Sequence, residues 1–216
     1  MPESYQMVVL PKNDPQTYRD IEAMTRRFAT DAIRPEAEIL DRDELFPDHL
    51  YKQMAELGLF GITVPDSLGG AGLDCLAYAI VMEELAHGYS SVADQCGLVE
   101  LIGTLLTRYG SATQQKRWLG EVLSFRTKVA YCITETEAGS DVSGIKTTAV
   151  KTTSGWVLNG SKIWIHNAPI ADIGFVLART DPAAGHRGMS IFIVPLDAKG
   201  VSRGPKEHKM GQRASQ

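Results

Sequence analysis

The chain has 216 residues, 44% hydrophobic and 22% charged, with a formal net charge of −4. That length suits one large domain or two small ones, and the composition is globular. The acidic balance leaves no basic stripe for phosphate contacts, so nucleic acid is not expected as a partner; no apolar run is long enough to insert in a membrane.

The opening MPESYQMVVLPKNDP lacks a basic segment followed by a long apolar one and is not Arg-rich. Neither a secretory signal nor a transit peptide is expected there. Cys75, Cys96 and Cys132 are widely spaced and form no CxxC pair. Free buried thiols in a reducing compartment fit this spacing; a zinc site or other metal centre does not. The expected location is the cytoplasm, or the mitochondrial matrix in a eukaryote.

Residues 1–125 read as an all-α domain. Ile21, Met24 and Phe28 follow a helical stripe that Pro35 interrupts. In FPDHLYKQMAELGLFG, Pro47 stands near a first turn, Leu50, Met54 and Leu57 share a face, and Gly58 caps the end. VPDSLGGAGLD (64–74) is a loop, and its glycines lack the strand that a dinucleotide fingerprint needs. CLAYAIVMEELAHG is apolar enough to be buried on several sides. Asp74, Glu83 and Glu84 are expected at the surface or at caps, and His87 near a helix C-terminus. Residues 91–109 form the next helix, with Val92, Cys96, Val99, Ile102, Leu106 and Tyr109 three or four apart. Ser111 caps a short amphipathic helix through Trp118, Leu119 and Leu123.

After Phe125 the period changes to two, and 126–216 reads as a β domain. TKVAYCIT, KTTAVKTTSGWVLNGSKIWIHN, IGFVLART and MSIFIVPL are the strand candidates. Ser154-Gly155 and Asn159-Gly160 mark two tight turns. The fold class is α+β: helices first, then a β-barrel-like or sandwich domain. The final KMGQRASQ does not read as a domain end, and the strand count is low for a closed β fold, so the β domain is expected to be incomplete at its C-terminus.

Chemistry concentrates in two segments. YCITETEAGSD (131–141) puts Thr134 and Glu135 at a strand end, followed by the small turn Ala138-Gly139-Ser140. KIWIHN puts Trp164 and His166 two apart on a strand, on one face. An aromatic beside a hydrogen-bonding group suits a flat heterocycle, and the glycine turn lets a ligand approach the backbone. The same residues also fit a plain core aromatic and a solvated acidic turn of Glu135, Glu137 and Asp141.

These segments resemble the acyl-CoA dehydrogenase family. YCITETEAGSD is similar to one family signature and LNGSKIWIHNAP to a second, with His166 where the family usually has threonine. LGLFGITVPDSLGGAGLD, EELAHGYSSVA and KMGQRAS resemble further stretches in the family's order, from about residue 17 to the last. The resemblance implies an FAD flavoprotein that desaturates an acyl-CoA thioester. It implies Tyr131, Cys132, Ile133 and Thr134, with Trp164, Ile165 and His166, along the flavin. It implies Gly139 and Ser140 against the CoA arm. It implies an electron-transferring flavoprotein as partner and a homo-oligomer, dimer or tetramer. The family's catalytic glutamate lies in a C-terminal helical domain that is missing from these 216 residues, so no catalytic residue is expected here, and neither Glu135 nor Glu137 is assigned that role. A flavin oxidase or monooxygenase on the same scaffold, and a non-catalytic subunit, are the competing readings. Glu100, in the helix expected to line an acyl pocket, points either to a short or functionalised acyl group or to a solvent-facing or subunit-facing position.

Overall fold

The computed structural model describes residues 13–216, so the expectation about a leader segment falls largely outside the described residues. The chain forms two compact units. One runs to Phe125 and takes back Met210–Ala214; the other comprises Arg126–Lys209 and Ser215–Gln216.

In the helical unit, the Asp14 side chain caps α1 (Pro15–Phe28) by accepting from Gln16 N–H, and Pro15 occupies the first turn, where a missing N–H breaks no helical bond. The helix widens into a π turn, Ala29–Ile33, and α2 (Ala37–Arg42) begins only after Pro35. In α3 (Asp48–Glu56), Leu50 and Met54 are buried. Leu57 is 41% exposed, contrary to the helical spacing, because it lies past the helix end as the C-cap. Gly58 follows with φ +70°, the left-handed turn that ends a helix at low strain when the residue is glycine.

The Asp74 carboxylate accepts from the N–H groups of Leu76 and Ala77 to start α4 (Cys75–Gly88). This helix packs on α1 and on α5 (Ser90–Tyr109). Its burial is one-sided: Ala77, Val81 and Leu85 are covered, whereas Leu76, Ala79 and Ala86 are exposed. The helix buried around most of its circumference is α5, with Val92, Cys96, Val99, Ile102 and Leu106 inside and terminal Tyr109 outside. Ser111 and Gln114 form a reciprocal capping box at α6 (Ala112–Gln114). A second π turn, Gln115–Leu119, leads to α7 (Gly120–Leu123). Phe46, Tyr51, Phe60 and Phe125 form an aromatic cluster with neighbouring centroids 5.0–6.4 Å apart.

Glu84, expected at the surface or at a cap, and Glu100, open between an acyl pocket and a solvent- or subunit-facing position, are both interior. Glu84 is 4% exposed and meets Arg26 as a two-pronged pair, Nη2 to Oε1 at 2.6 Å and Nε to Oε2 at 2.8 Å. Glu100 is also 4% exposed and accepts from Ile62 N–H at 2.6 Å and Thr63 N–H at 2.8 Å, with the Thr63 hydroxyl as a third donor. A buried carboxylate must be met by donors or a cation, and both are. Glu100 therefore does not face solvent; it ties down the loop that follows α3. The thiols also differ from expectation: Cys96 and Cys132 are buried, but Cys75, at the start of α4, is exposed.

The second unit carries one mixed five-stranded sheet, built from β1 (Val129–Cys132), β2 (Thr148–Thr152), β3 (Gly155–Asn159), β4 (Ile173–Arg179) and β5 (Met189–Pro195). β4 is central. It pairs in parallel with β1, antiparallel along its whole length with β5, and with β2 only at Thr148↔Arg179. β2 and β3 form the hairpin expected at Ser154-Gly155, closing on the pair Thr152↔Gly155.

Asn159-Gly160 does not make a second hairpin. Gly160 follows the last residue of β3, where a Cβ would lie 2.6 Å from the Thr147 Cβ, so glycine is needed for a close approach. The strand expected over Lys162–Asn167 is likewise absent: these residues form coil and a turn. Alternating apolar residues mimic a strand there, but Trp164 and Asn167 take positive φ, 58° and 64°, which no strand ladder accommodates.

Candidate functional site

β1 ends at Cys132, and Ile133 to Glu135 continue as loop. Among the described residues β1 has β4 on one side and no strand on the other. Tyr131 is half-buried. Ile133 packs against a small cluster of Ala138, Ile145 and Leu177. Cys132 belongs to a second cluster with Ala130, Ala171 and Leu196, against which Ile165 packs. Burial pushes the Cys132 thiol up to about 11, with the Lys162 ammonium pulling the other way, so it stays protonated near neutral pH.

The two motif segments meet. Ile163 N–H donates to Thr134 O at 3.0 Å. Lys162 Nζ donates to Ile133 O at 2.9 Å and to Glu135 Oε1 at 2.8 Å. Glu135 is not the solvated acid of a loose turn: both side chains of this pair are 9% exposed. Its other acceptor positions take Lys146 N–H at 2.6 Å and Thr147 N–H at 3.0 Å. Burial alone would raise the Glu135 carboxyl, but the bond from Lys162 and these amide donors outweigh it and hold it at about 2. A carboxylate so occupied is a poor base. Glu137 lies outside, paired with Lys146, which lowers its carboxyl too.

Beyond Lys162 the chain exposes Trp164. Its indole is 70% exposed on a backbone in the left-handed region, a combination of strain and exposure that folding alone does not favour. Ile165 and His166 follow, both half-buried. The turn ends at fully buried Asn167, whose Nδ2 donates to Val129 O at 3.2 Å and whose N–H donates to Gln216 O at 2.8 Å. Trp164 and His166 thus lie on a bent turn and do not share a strand face.

Gly139 and Ser140, which follow Ala138 in the chain, are exposed. Reciprocal bonds, Glu135 N–H to Ala138 O at 2.9 Å and Ala138 N–H to Glu135 O at 3.1 Å, close the turn that presents them. Asp141 then caps a short 3-10 turn by accepting from Ser143 N–H.

Residues 15–126 match the model of the acyl-CoA dehydrogenase N-terminal domain, and residues 130–216 match that of the acyl-CoA dehydrogenase middle domain. The chain belongs to the acyl-CoA dehydrogenase family. It is 38% identical over 216 residues to the mitochondrial short-chain specific acyl-CoA dehydrogenase of Homo sapiens, covering 98% of this chain and 50% of that protein. It is 42% identical over 195 residues to the caffeyl-CoA reductase-Etf complex subunit CarC of Acetobacterium woodii, covering 87% and 51%. Among solved structures, a glutaryl-coenzyme A dehydrogenase in complex with glutaryl-CoA superposes with a TM-score of 0.87 at 37% identity, over 95% of this chain and 53% of that one. The chain spans about half the length of the curated relatives it matches. The family's arrangement of a helical domain followed by a mixed-sheet domain is the one described above.

The sequence did not single out Lys162 and Asn167, and it left Glu135 open between a strand-end site residue and a solvated acid. The signal was present. Lys162 borders the apolar run Ile163-Trp164-Ile165, and a charge drawn into the interior with such a run needs a buried partner.

Proposed function

We propose that this chain carries the flavin-facing part of an FAD-dependent acyl-CoA dehydrogenase, which removes hydrogens from the α and β carbons of an acyl-CoA thioester. The observation that carries the reading is the joining of the Tyr131–Thr134 segment to the turn bearing the exposed, left-handed Trp164. The open side of β1 and its loop offers backbone donors and acceptors to the edge of a heterocycle, and the Trp164 indole offers a flat apolar surface beside it. Tyr131, Cys132, Ile133, Thr134, Trp164, Ile165 and His166 are the residues we assign to the flavin. Gly139 and Ser140, on their exposed turn, are assigned to the thioester's CoA arm.

When bound, flavin supplies the redox chemistry by accepting the β hydrogen as hydride. The residues of this chain orient and shield. Trp164 excludes water from one side of the site, and the strand-end amides fix the ring's register. Glu135, held as an anion with its oxygens occupied, moves no proton. The base is assigned to a part of the family's fold outside these residues.

Relatives that bind FAD and FADH2 support the cofactor. The Etf-complex subunit from Acetobacterium woodii, and the superposition on a structure described as the electron transferring flavoprotein of Acidaminococcus fermentans (TM-score 0.88, 33% identity), support an electron-transferring flavoprotein as the acceptor. A homo-oligomer, and residues 1–125 and 126–216 as separate domains, complete the proposal. The cytoplasm, or the mitochondrial matrix where relatives carry that label, is the proposed location.

The test is an absorption spectrum of the purified protein from about 300 to 600 nm during titration with acyl-CoA thioesters. A flavin band that bleaches on addition supports dehydrogenation. A protein that takes up no flavin under any loading condition overturns the assignment.

A further inference from the structure

We propose that Glu135 and Lys162 act as a positioning clamp that couples the Trp164 turn to the Gly139–Ser140 turn, so that one buried ion pair sets both the cofactor side and the substrate side of the site. The inference rests on the flavin reading above and deepens it.

Three segments converge on the pair. Through its side chain, Glu135 holds Lys162 and the Lys146 and Thr147 amides that lead into β2. Through its main chain, it makes both bonds of the turn that presents Gly139 and Ser140. Lys162 adds a bond to Ile133 O, inside the segment assigned to the flavin. A displacement of the Glu135 side chain is therefore felt at each segment.

The need for a clamp comes from strain. Trp164 and Asn167 both sit at positive φ; asparagine tolerates that region, but a residue as bulky as Trp164 is strained there. Such a turn persists only where its ends are pinned. Lys162 pins one end and the buried Asn167 the other, with Ile163 N–H on Thr134 O between them. An apolar pair of similar volume could fill the same space with equal or better stability. It could not fix the direction in which the segment leaves, which two charge-assisted bonds from one ammonium do.

The experiment uses the flavin-loaded protein, with Lys162→Met, Lys162→Arg and a control, Phe192→Ala. Phe192 lies on β5 against Trp156, at a centroid distance of 5.4 Å, and is paired to the other edge of β4 from β1. Lys162→Met should raise the flavin dissociation constant at least tenfold and change the visible circular dichroism of bound flavin. It should also weaken equilibrium binding of the thioester, read from the shift of the flavin band. Lys162→Arg should recover most of each. The control should lower Tm and leave the flavin dichroism as in the parent. If Lys162→Met behaves as the control does, losing Tm with flavin affinity and dichroism unchanged, the clamp is a structural pair only and the proposal fails. If the parent itself takes up no flavin, the functional reading fails instead. Amide hydrogen exchange then decides the coupling: Ile163, Lys146 and Thr147 should speed up together in Lys162→Met, and independent exchange overturns it. If Lys162→Met does not fold, Glu135→Gln is compared with the parent by the same readouts, and unchanged dichroism with unchanged Ile163 exchange counts against the clamp.

Discussion

The Glu100 carboxylate lies 2.6 Å from the amide of Ile62, a contact spanning 38 positions of sequence. It replaces the partners that a tight loop denies its own backbone. Charge-assisted bonds of this kind contribute roughly 1.5–3 kcal/mol each, and a buried donor left alone costs a further 1–3 kcal/mol. Glu100→Gln keeps one acceptor oxygen and is expected to destabilise the helical unit by about 2 kcal/mol. The check is the urea midpoint followed by far-ultraviolet circular dichroism. An unchanged midpoint would show that the loop satisfies its amides in another way.

Acid should separate Glu135 from ordinary surface carboxylates. Its folded value, about 2, lies below the free value of 4.5. The unfolded chain therefore binds the proton more readily, and the carboxylate's contribution is full above about 4.5 and fades as pH falls toward about 2. The gap corresponds to about 3 kcal/mol. The stability difference between the parent and Glu135→Gln should be largest above pH 5 and shrink by roughly that amount as pH falls to 2. Denaturant titrations at several pH values measure it, and a difference independent of pH sinks the assignment.

Trp164 should be costly to function and cheap to stability. Truncating a buried tryptophan costs about 3–5 kcal/mol. Here the indole is 70% exposed and its backbone is left-handed, a conformation that asparagine tolerates. Relief of about 1–2 kcal/mol of strain offsets the small apolar area lost, so Trp164→Asn is expected within about 1 kcal/mol of the parent. Flavin affinity should fall about tenfold in the same variant. Thermal melts and flavin titration read the two effects separately. A large loss of stability would mean that the indole is a core residue.

Thiol chemistry offers an inexpensive check of the burial pattern. Cys75 is exposed, while burial pushes the Cys96 and Cys132 thiols up. An aromatic disulfide reagent should modify Cys75 rapidly in the folded protein and reach the other two only on unfolding. Peptide mapping that finds Cys96 labelled first would contradict the packing of α5.

Helices were legible where local rules dominate. Asp74, Ser111 and Gly58 announced their caps, and the three-to-four spacing of α5 marked its buried face, because each signal is decided within one or two turns of chain. The strands opening at Val129, Thr148, Ile173 and Met189 were legible for the same reason. The misreadings share one cause. Glu84, Glu100 and Glu135 are ordinary surface residues until a partner arrives from 11 to 58 positions away, and only the fold brings it. Lys162–Asn167 misled in the opposite sense. Its alternation fits a strand, but the buried Lys162 and Asn167 hold it as a strained turn. The motifs pointed to the right segments, and tertiary contacts decided how those segments bend.

The sheet described above has open borders, and these bear on how the protein can be handled. Among the described residues, β1, β3 and β5 each have a side without a strand partner, and Val157 and Ile191 stand on β3 and β5 at 49% and 38% exposure. Unpaired strand edges with apolar side chains are templates for joining another copy. Produced as these 216 residues alone, the polypeptide should therefore lose solubility with concentration well before it loses its fold. A lysine at Val157, placed in the middle of β3, should keep it dispersed.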